Sequence, residues 1–279
     1  MRGLTKGINR YAAIGSLAVA SAGASACAIS TQQELALGQQ YSTEINEQLP
    51  LIEDAEIVRY VNLLGDRIAQ AGGRNLDYTF YVVNADVINA FAIPGGYIYL
   101  NRGLIERADN LSELAGVIGH EIGHVELRHG VEQMERMQRA QLGVALGSIL
   151  LGPPQGATAA AVNVGAGLYF AKNSRQAEHE ADAIAVPLLV ESGIHPQGLT
   201  TFFGELLAER ERTPGALEQW FSTHPLTEDR IAAAEARIAQ LPQASLEGLL
   251  MQTDNFQRMQ ERLRTMPEPP PEFRSEDRK

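Results

Sequence analysis

The chain has 279 residues, a formal charge of −11, 44% hydrophobic residues and a single cysteine. That length supports one large domain with a sizeable core. The acidic balance argues against a nucleic-acid partner, and one cysteine excludes an internal disulfide framework or a cysteine-rich zinc site.

Residues 1–26 have the form of an export signal. Arg2, Lys6 and Arg10 make a basic start, residues 11–20 a short apolar stretch, and small residues follow. The stretch is too short to span a membrane. Ala24-Ser25-Ala26-Cys27 resembles a bacterial lipobox, with alanine where leucine is usual at position 24. Either Cys27 is lipidated and residues 27–30 tether the chain to a membrane through a lipid anchor, or ordinary cleavage follows Ala26. Alanine rather than aspartate follows the cysteine, which in lipoproteins points to the outer membrane.

Residues 32–48 and 54–71 read as helices. In the second, Ile57, Tyr60, Val61, Leu64 and Ile68 recur at helical spacing, and Gly72-Gly73 ends it. Residues 77–83 are aromatic and β-branched and read as a strand. Residues 88–93 and 97–100 flank Pro94-Gly95-Gly96, a strong turn signal, so a small sheet is expected. Asn101 is expected to cap a short helix.

A helix is then expected from about Leu111 to Gly130. It carries His120-Glu121-Ile122-Gly123-His124, an H-E-x-x-H pattern inside an apolar run. Residues four apart lie on one helix face, so both imidazoles can share one metal ion, and Glu121 can reach a water molecule beside it. A catalytic zinc site needs a third protein ligand and one open position. His129, one turn further on, reads as a helix-end residue rather than a ligand.

Residues 140–171 are rich in Ala, Gly, Leu and Val, with Pro153-Pro154 between two apolar halves, neither long enough to span a membrane. They read as a helical hairpin, packed on the core or over a cleft, or offered to a membrane or partner. Residues 174–192 read as a helix closed by Gly193. On it, Glu178 and Asp182 are four apart. Glu178 is the candidate third ligand, and Asp182 the group that would orient a ligand histidine. His179 lies on a different side of that helix. Pro196 is expected to open a helix to about Arg210, Thr227 to cap another, and residues 245–264 to form a last amphipathic helix. The Pro-rich, charged segment 266–279 reads as disordered.

Four pieces together resemble a known family: Asn89-Ala90-Phe91-Ala92, His120 to His124, Ser174-Arg175 through Glu178 to Asp182, and His224-Pro225. Their order and spacing are similar to those of the gluzincin metallopeptidases that include HtpX, the CAAX prenyl endopeptidases, the Oma-type and the BepA-type proteases. The resemblance implies an α+β, mostly helical fold over residues 31–265, with a small sheet beside two metal-binding helices. It implies one zinc ion per chain held by His120, His124 and Glu178, with Glu121 as general base. It implies that Asn89, Ala90 and Phe91 form an edge strand that pairs with an extended substrate. His224 would stabilise a charged intermediate, or occupy the open metal position and hold the enzyme latent, or be a loop residue with no metal role. Arg230 would pair with Asp182 or with the oxyanion. No tandem repeat follows the catalytic part, as in short members of the family. The implied function is an endopeptidase of the bacterial periplasm, tethered to the outer membrane. It would act on unfolded or misassembled envelope proteins, with the envelope assembly machinery as a partner. The alternative is a non-catalytic, zinc-containing chaperone or assembly factor.

Overall fold

The computed structural model of the chain describes residues 28–139, 173–212 and 217–274. The expected export signal, Cys27 and the apolar hairpin at 140–171 lie outside the described residues. The fold is mostly helical with one small sheet, as expected. Among the described residues, no helix is long and apolar enough to cross a membrane.

The second helix (Ala55–Ala69) forms where the apolar spacing places it. Asp54 caps it by accepting from the Glu56 and Ile57 amides, and Ile57, Val61, Leu64 and Ile68 are buried. It packs against the motif helix (Leu111–Glu126) and strand β1 (Thr79–Val83). Strands β2 (Ala90–Ile93) and β3 (Tyr97–Asn101) flank the Pro94-Gly95-Gly96 turn, where both glycines take positive φ. The strand order is β1-β3-β2, with β1 parallel and β2 antiparallel to β3, so among the described residues β2 is an edge. The pleat divides the side chains between two clusters. Ala90, Ile98 and Leu100 join the main core, while Phe91, Ile93 and Tyr99 pack on the other face with Ile45 of the first helix (Thr31–Asn46).

Every residue of the motif helix from Leu111 through Val125 is buried. It crosses the acidic helix (Arg175–Glu191) and the helix Gln197–Arg212. Two of its glycines permit that closeness. A Cβ on Gly123 would stand 2.8 Å from the Ala181 carbonyl oxygen, and one on Gly116 2.7 Å from the Leu199 amide nitrogen. Gly123, inside the H-E-x-x-H pattern, therefore lets the acidic helix approach the histidines.

The boundaries differ from the sequence reading at five places. The motif helix ends at Glu126 rather than Gly130, because Arg128 turns into the left-handed region at φ 59° and a new helical stretch runs over 129–139. Asn101 occupies the cap position, but its side-chain amide donates to the Val87 carbonyl instead, at 3.0 Å. Thr227 stands at a cap position without a side-chain bond. The last helix begins at Asp254, capped by Thr253. Gly248, at φ 76°, breaks the preceding stretch, and Leu250 pairs with the Gly193–His195 segment. Residues 267–274, read as disordered, dock on the domain: Arg102 donates to the Pro267 carbonyl, the Phe273 carbonyl accepts from the Asp86 amide, and the Phe273 ring packs on the second cluster.

Glu34 ties the first helix to the end of the motif helix. Its carboxylate is 1% exposed and accepts from Arg74 at 2.8 and 2.9 Å and from Arg128 at 2.8 Å. Burial pushes its proton affinity up, but the two guanidinium groups outweigh burial and hold it below the usual carboxylate range. Its stabilisation is thus complete above the unfolded-state value and lost as pH falls through the lower folded value. Glu34→Gln is expected to cost ~1.5–3 kcal/mol at neutral pH. Denaturant unfolding at pH 7, 5, 4 and 3 should show the gap between wild type and variant closing at the acid end. A gap independent of pH would contradict the charge pairing.

Candidate active site

His120 and His124 come from the motif helix, Glu178 from the acidic helix, and His224 from the end of the short helix Glu218–Thr223. All four are buried, and each offers one ligand atom within 4.8 Å of the others. His120 Nε2 lies 3.1 Å from His124 Nε2 and 3.4 Å from both Glu178 Oε2 and His224 Nδ1. Glu178 Oε1 lies 3.2 Å from His124 Nε2, and Glu178 Oε2 3.4 Å from His224 Nδ1.

The hydrogen bonds around the cluster fix where its lone pairs point. Asp182 Oδ1 stands 2.8 Å from His120 Nδ1, which assigns that proton to Nδ1 in the neutral ring and leaves the Nε2 lone pair facing inward. His124 Nδ1 faces His129 Nδ1 at 2.9 Å, and His129 Nε2 faces Glu180 Oε2 at 3.1 Å. A proton donated from His129 to Glu180 and another from His124 to His129 turn the second Nε2 lone pair inward too. Glu178 Oε1 and Glu121 Oε1 are buried and make no hydrogen bond among the described residues. Two imidazole lone pairs and a carboxylate oxygen, converging without a donor between them, fit a small divalent cation. The donor set suits zinc.

Arg230 is buried and bridges the two carboxylates of the acidic helix. It donates to Asp182 at 2.7 and 2.8 Å and to Glu178 at 2.6 Å. Of the two pairings the sequence left open, the structure has Arg230 on Asp182, with Glu178 in addition. Burial alone would lower both motif histidines. It carries His124 down to about 3, whereas at His120 the carboxylates of Asp182 and Glu178 outweigh it and raise the metal-free ring to about 9, so a cation bound at Nε2 would have to displace a proton there. Burial would push Glu178 up, but the three surrounding histidines hold it well below the usual carboxylate range.

Glu121 lies on the other side of His224, its Oε1 3.5 Å from His224 Nε2. Burial raises its proton affinity despite the opposing pull of His224 and His120, and the Ala92 amide donates to it. His224 Nε2 also faces the Ala90 carbonyl at 3.3 Å. His224 is therefore no free loop residue. Its ring joins the cluster on one side, and the proposed base and the sheet edge on the other.

Of the residues singled out from sequence, His120, Glu121, His124, Glu178, Asp182, His224, Arg230 and the Ala90 backbone are gathered here. Asn89 and Phe91 turn their side chains to the opposite sheet face. Three neighbours went unrecognised. His129 reaches His124 only because Arg128 breaks the helix and redirects the chain, so helical spacing hid it. Phe203 meets the His120 ring edge-on at 5.7 Å, and Trp220 lies against His224 at 4.9 Å. The sequence reading singled out neither.

Comparison with known proteins gives a consistent picture. The profile described as peptidase family M48 matches residues 55–238. A "Beta-barrel assembly-enhancing protease" of Yersinia pestis is 38% identical over 245 residues, covering 82% of this chain and 49% of that protein. The protein of the same name from Escherichia coli K12 is 38% identical over 222 residues, covering 76% of this chain and 45% of the relative. "Metalloprotease YcaL" of Escherichia coli K12 is 30% identical over 181 residues, 62% of this chain and 68% of that one. The chain thus spans about half the length of the first two relatives.

Proposed function

The chain belongs to peptidase family M48, and from that premise we propose that it is a zinc-dependent endopeptidase of the bacterial cell envelope. The carrying observation is the placement of Glu121, a buried carboxylate between the His120–His124–Glu178 cluster and the open edge of β2. Zinc held by those three ligands would polarise a scissile carbonyl and lower the pKa of a water molecule. Glu121 takes the proton of the attacking water and delivers it to the leaving amine. Its raised proton affinity suits both halves of that task. Asp182 and His129 hold the two imidazoles in the tautomers that ligation needs. A non-catalytic zinc protein has no use for a base at this position.

The substrates we infer are unfolded or misassembled envelope proteins, because an edge strand binds through main-chain bonds and requires an extended chain. The names of the two longer relatives support an envelope setting and a link to β-barrel assembly. Acylation of Cys27 would anchor the enzyme to the outer membrane. Digestion of one outer-membrane protein in urea-unfolded and folded forms tests the substrate class. Cleavage of the unfolded form alone is expected, and equal cleavage of both would overturn it.

A second reading concerns regulation. His224 Nδ1 points into the cluster at 3.4 Å from both His120 Nε2 and Glu178 Oε2, where a fourth ligand would stand. In this arrangement His224 keeps the open position closed, and the enzyme is latent until substrate displaces the ring. His224→Ala is expected to raise basal cleavage of an unfolded protein several-fold. Reduced cleavage by a folded, zinc-loaded variant would instead assign His224 to stabilising the charged intermediate.

A further inference from the structure

On the sheet face turned away from the metal cluster lies a cavity of about 330 Å³. Ile45 and Leu49 of the first helix, Phe91 of β2 and Phe273 of the C-terminal segment give it apolar walls. Asn89 and Gln219 also line it. Asn89 is 1% exposed, and its Oδ1 has no hydrogen-bond partner among the described residues. Gln219 lies five residues before His224, and Asn89 immediately precedes the residue whose carbonyl faces His224.

The hydrogen-bond phase of β2 connects this cavity to a substrate. The Asn101 amide donates to the Asn89 carbonyl at 3.0 Å, and the register pairs Phe91 with Tyr99 and Ile93 with Tyr97. In an antiparallel pair the bonded positions alternate. Residues 89, 91 and 93 thus spend their main-chain groups on β3, while those of Ala90 and Ala92 face the open edge. The Ala90 carbonyl meets His224, and the Ala92 amide meets Glu121. An extended chain added to this edge would bond at Ala90 and Ala92, taking the place of His224 at the Ala90 carbonyl and of Glu121 at the Ala92 amide. Its side chains would alternate between the two faces of the sheet. Those on the Ala90–Ala92 face lie over the metal cluster, and those on the Asn89–Phe91 face lie over the cavity.

We propose that this cavity is a substrate subsite that takes a large aromatic side chain carrying a hydrogen-bond donor, tyrosine or tryptophan, from a residue of the extended substrate whose side chain alternates away from the metal cluster. The inference rests on the endopeptidase reading and on pairing along β2. The ring fills the volume between Ile45, Leu49, Phe91 and Phe273. The donor satisfies Asn89 Oδ1, which a purely aliphatic guest would leave buried and unpaired. Strand pairing alone demands little of the substrate sequence, so the subsite is where selectivity enters.

The test uses peptides with one fixed scissile bond and serine at every other position, into which Tyr, Phe or Asp is placed one position at a time. Cleavage is measured with the zinc-loaded chain, and binding by fluorescence anisotropy with Glu121→Gln. One position should favour Tyr over Ser by about tenfold in both measurements, with Phe between them. Val87→Trp, which puts an indole on a residue that lines the cavity, should abolish that preference while the all-serine peptide is still cut. Asn89→Leu should reverse the order of Tyr and Phe. Cleavage with no aromatic preference at any position overturns the subsite, as does a preference unchanged in Val87→Trp. If no peptide is cut, the endopeptidase reading fails, and anisotropy still decides the subsite: a Tyr-selective position supports it, and indifferent binding overturns it.

Discussion

Glu121→Gln is expected to lower cleavage of an unfolded protein by roughly 10²–10⁴-fold, the range lost with a general base, while bound zinc stays at the wild-type level. The amide keeps the size and position of the carboxylate but cannot take a proton. None of the contacts that hold the three proposed ligands runs through Glu121, whose neighbour in the cluster is His224: His120, His124 and Glu178 are held by Asp182, His129 and Arg230. The variant should also be no less stable than the wild type. Glu121 is a buried carboxylate whose Oε1 lacks a hydrogen bond, and removing that charge relieves a desolvation cost. Activity lost with zinc retained and stability intact would isolate the base from the metal. Undiminished cleavage by the purified variant would remove Glu121 from the mechanism.

Arg230→Ala should produce the largest loss of stability, about 3–5 kcal/mol, because it strips the shared partner from two buried carboxylates. Arg230 is 1% exposed and the only guanidinium the structure places on either Asp182 or Glu178 among the described residues. The ring of Phe203 also packs beneath it, 5.1 Å from the guanidinium carbon. Chemical denaturation of the zinc-free protein should show the full loss. The zinc-loaded protein should lose less, since a cation bound at Glu178 replaces part of the missing charge. Arg230→Lys should recover only part of the difference, because one ammonium cannot bond Asp182 at two points and Glu178 at a third. A change under 1 kcal/mol in the zinc-free protein would contradict the bridging role.

The site was legible in the sequence where spacing within one helix decides geometry. His120 with His124, and Glu178 with Asp182, are each four apart on one helix, and that spacing puts each pair on a single helix face. His224 and Arg230 came from likeness to a family, since no local pattern places a loop histidine against a helix a hundred residues earlier. His129 was hidden by one residue, Arg128, whose left-handed turn no periodicity records. The caps at Asn101 and Thr227 failed as side-chain bonds. For Asn101 the reason is plain, because its buried amide serves the Val87 carbonyl. The cavity beside β2 had no sequence signature at all. Its walls come from the first helix, β1 and the loop after it, β2, the end of β3, Gln219 and the C-terminal segment, where Phe273 stands in a stretch whose composition suggested disorder.

The most direct test of the metal site is a zinc titration of the chelated, purified chain from Ala28 onward, with bound zinc and cleavage of an unfolded protein read on the same sample. Activity should be absent without metal, rise in proportion to bound zinc and level off at one equivalent. Glu178→Ala should fail to retain that equivalent. Cleavage that survives chelation, or full activity with Glu178 replaced, would contradict a catalytic zinc held by His120, His124 and Glu178.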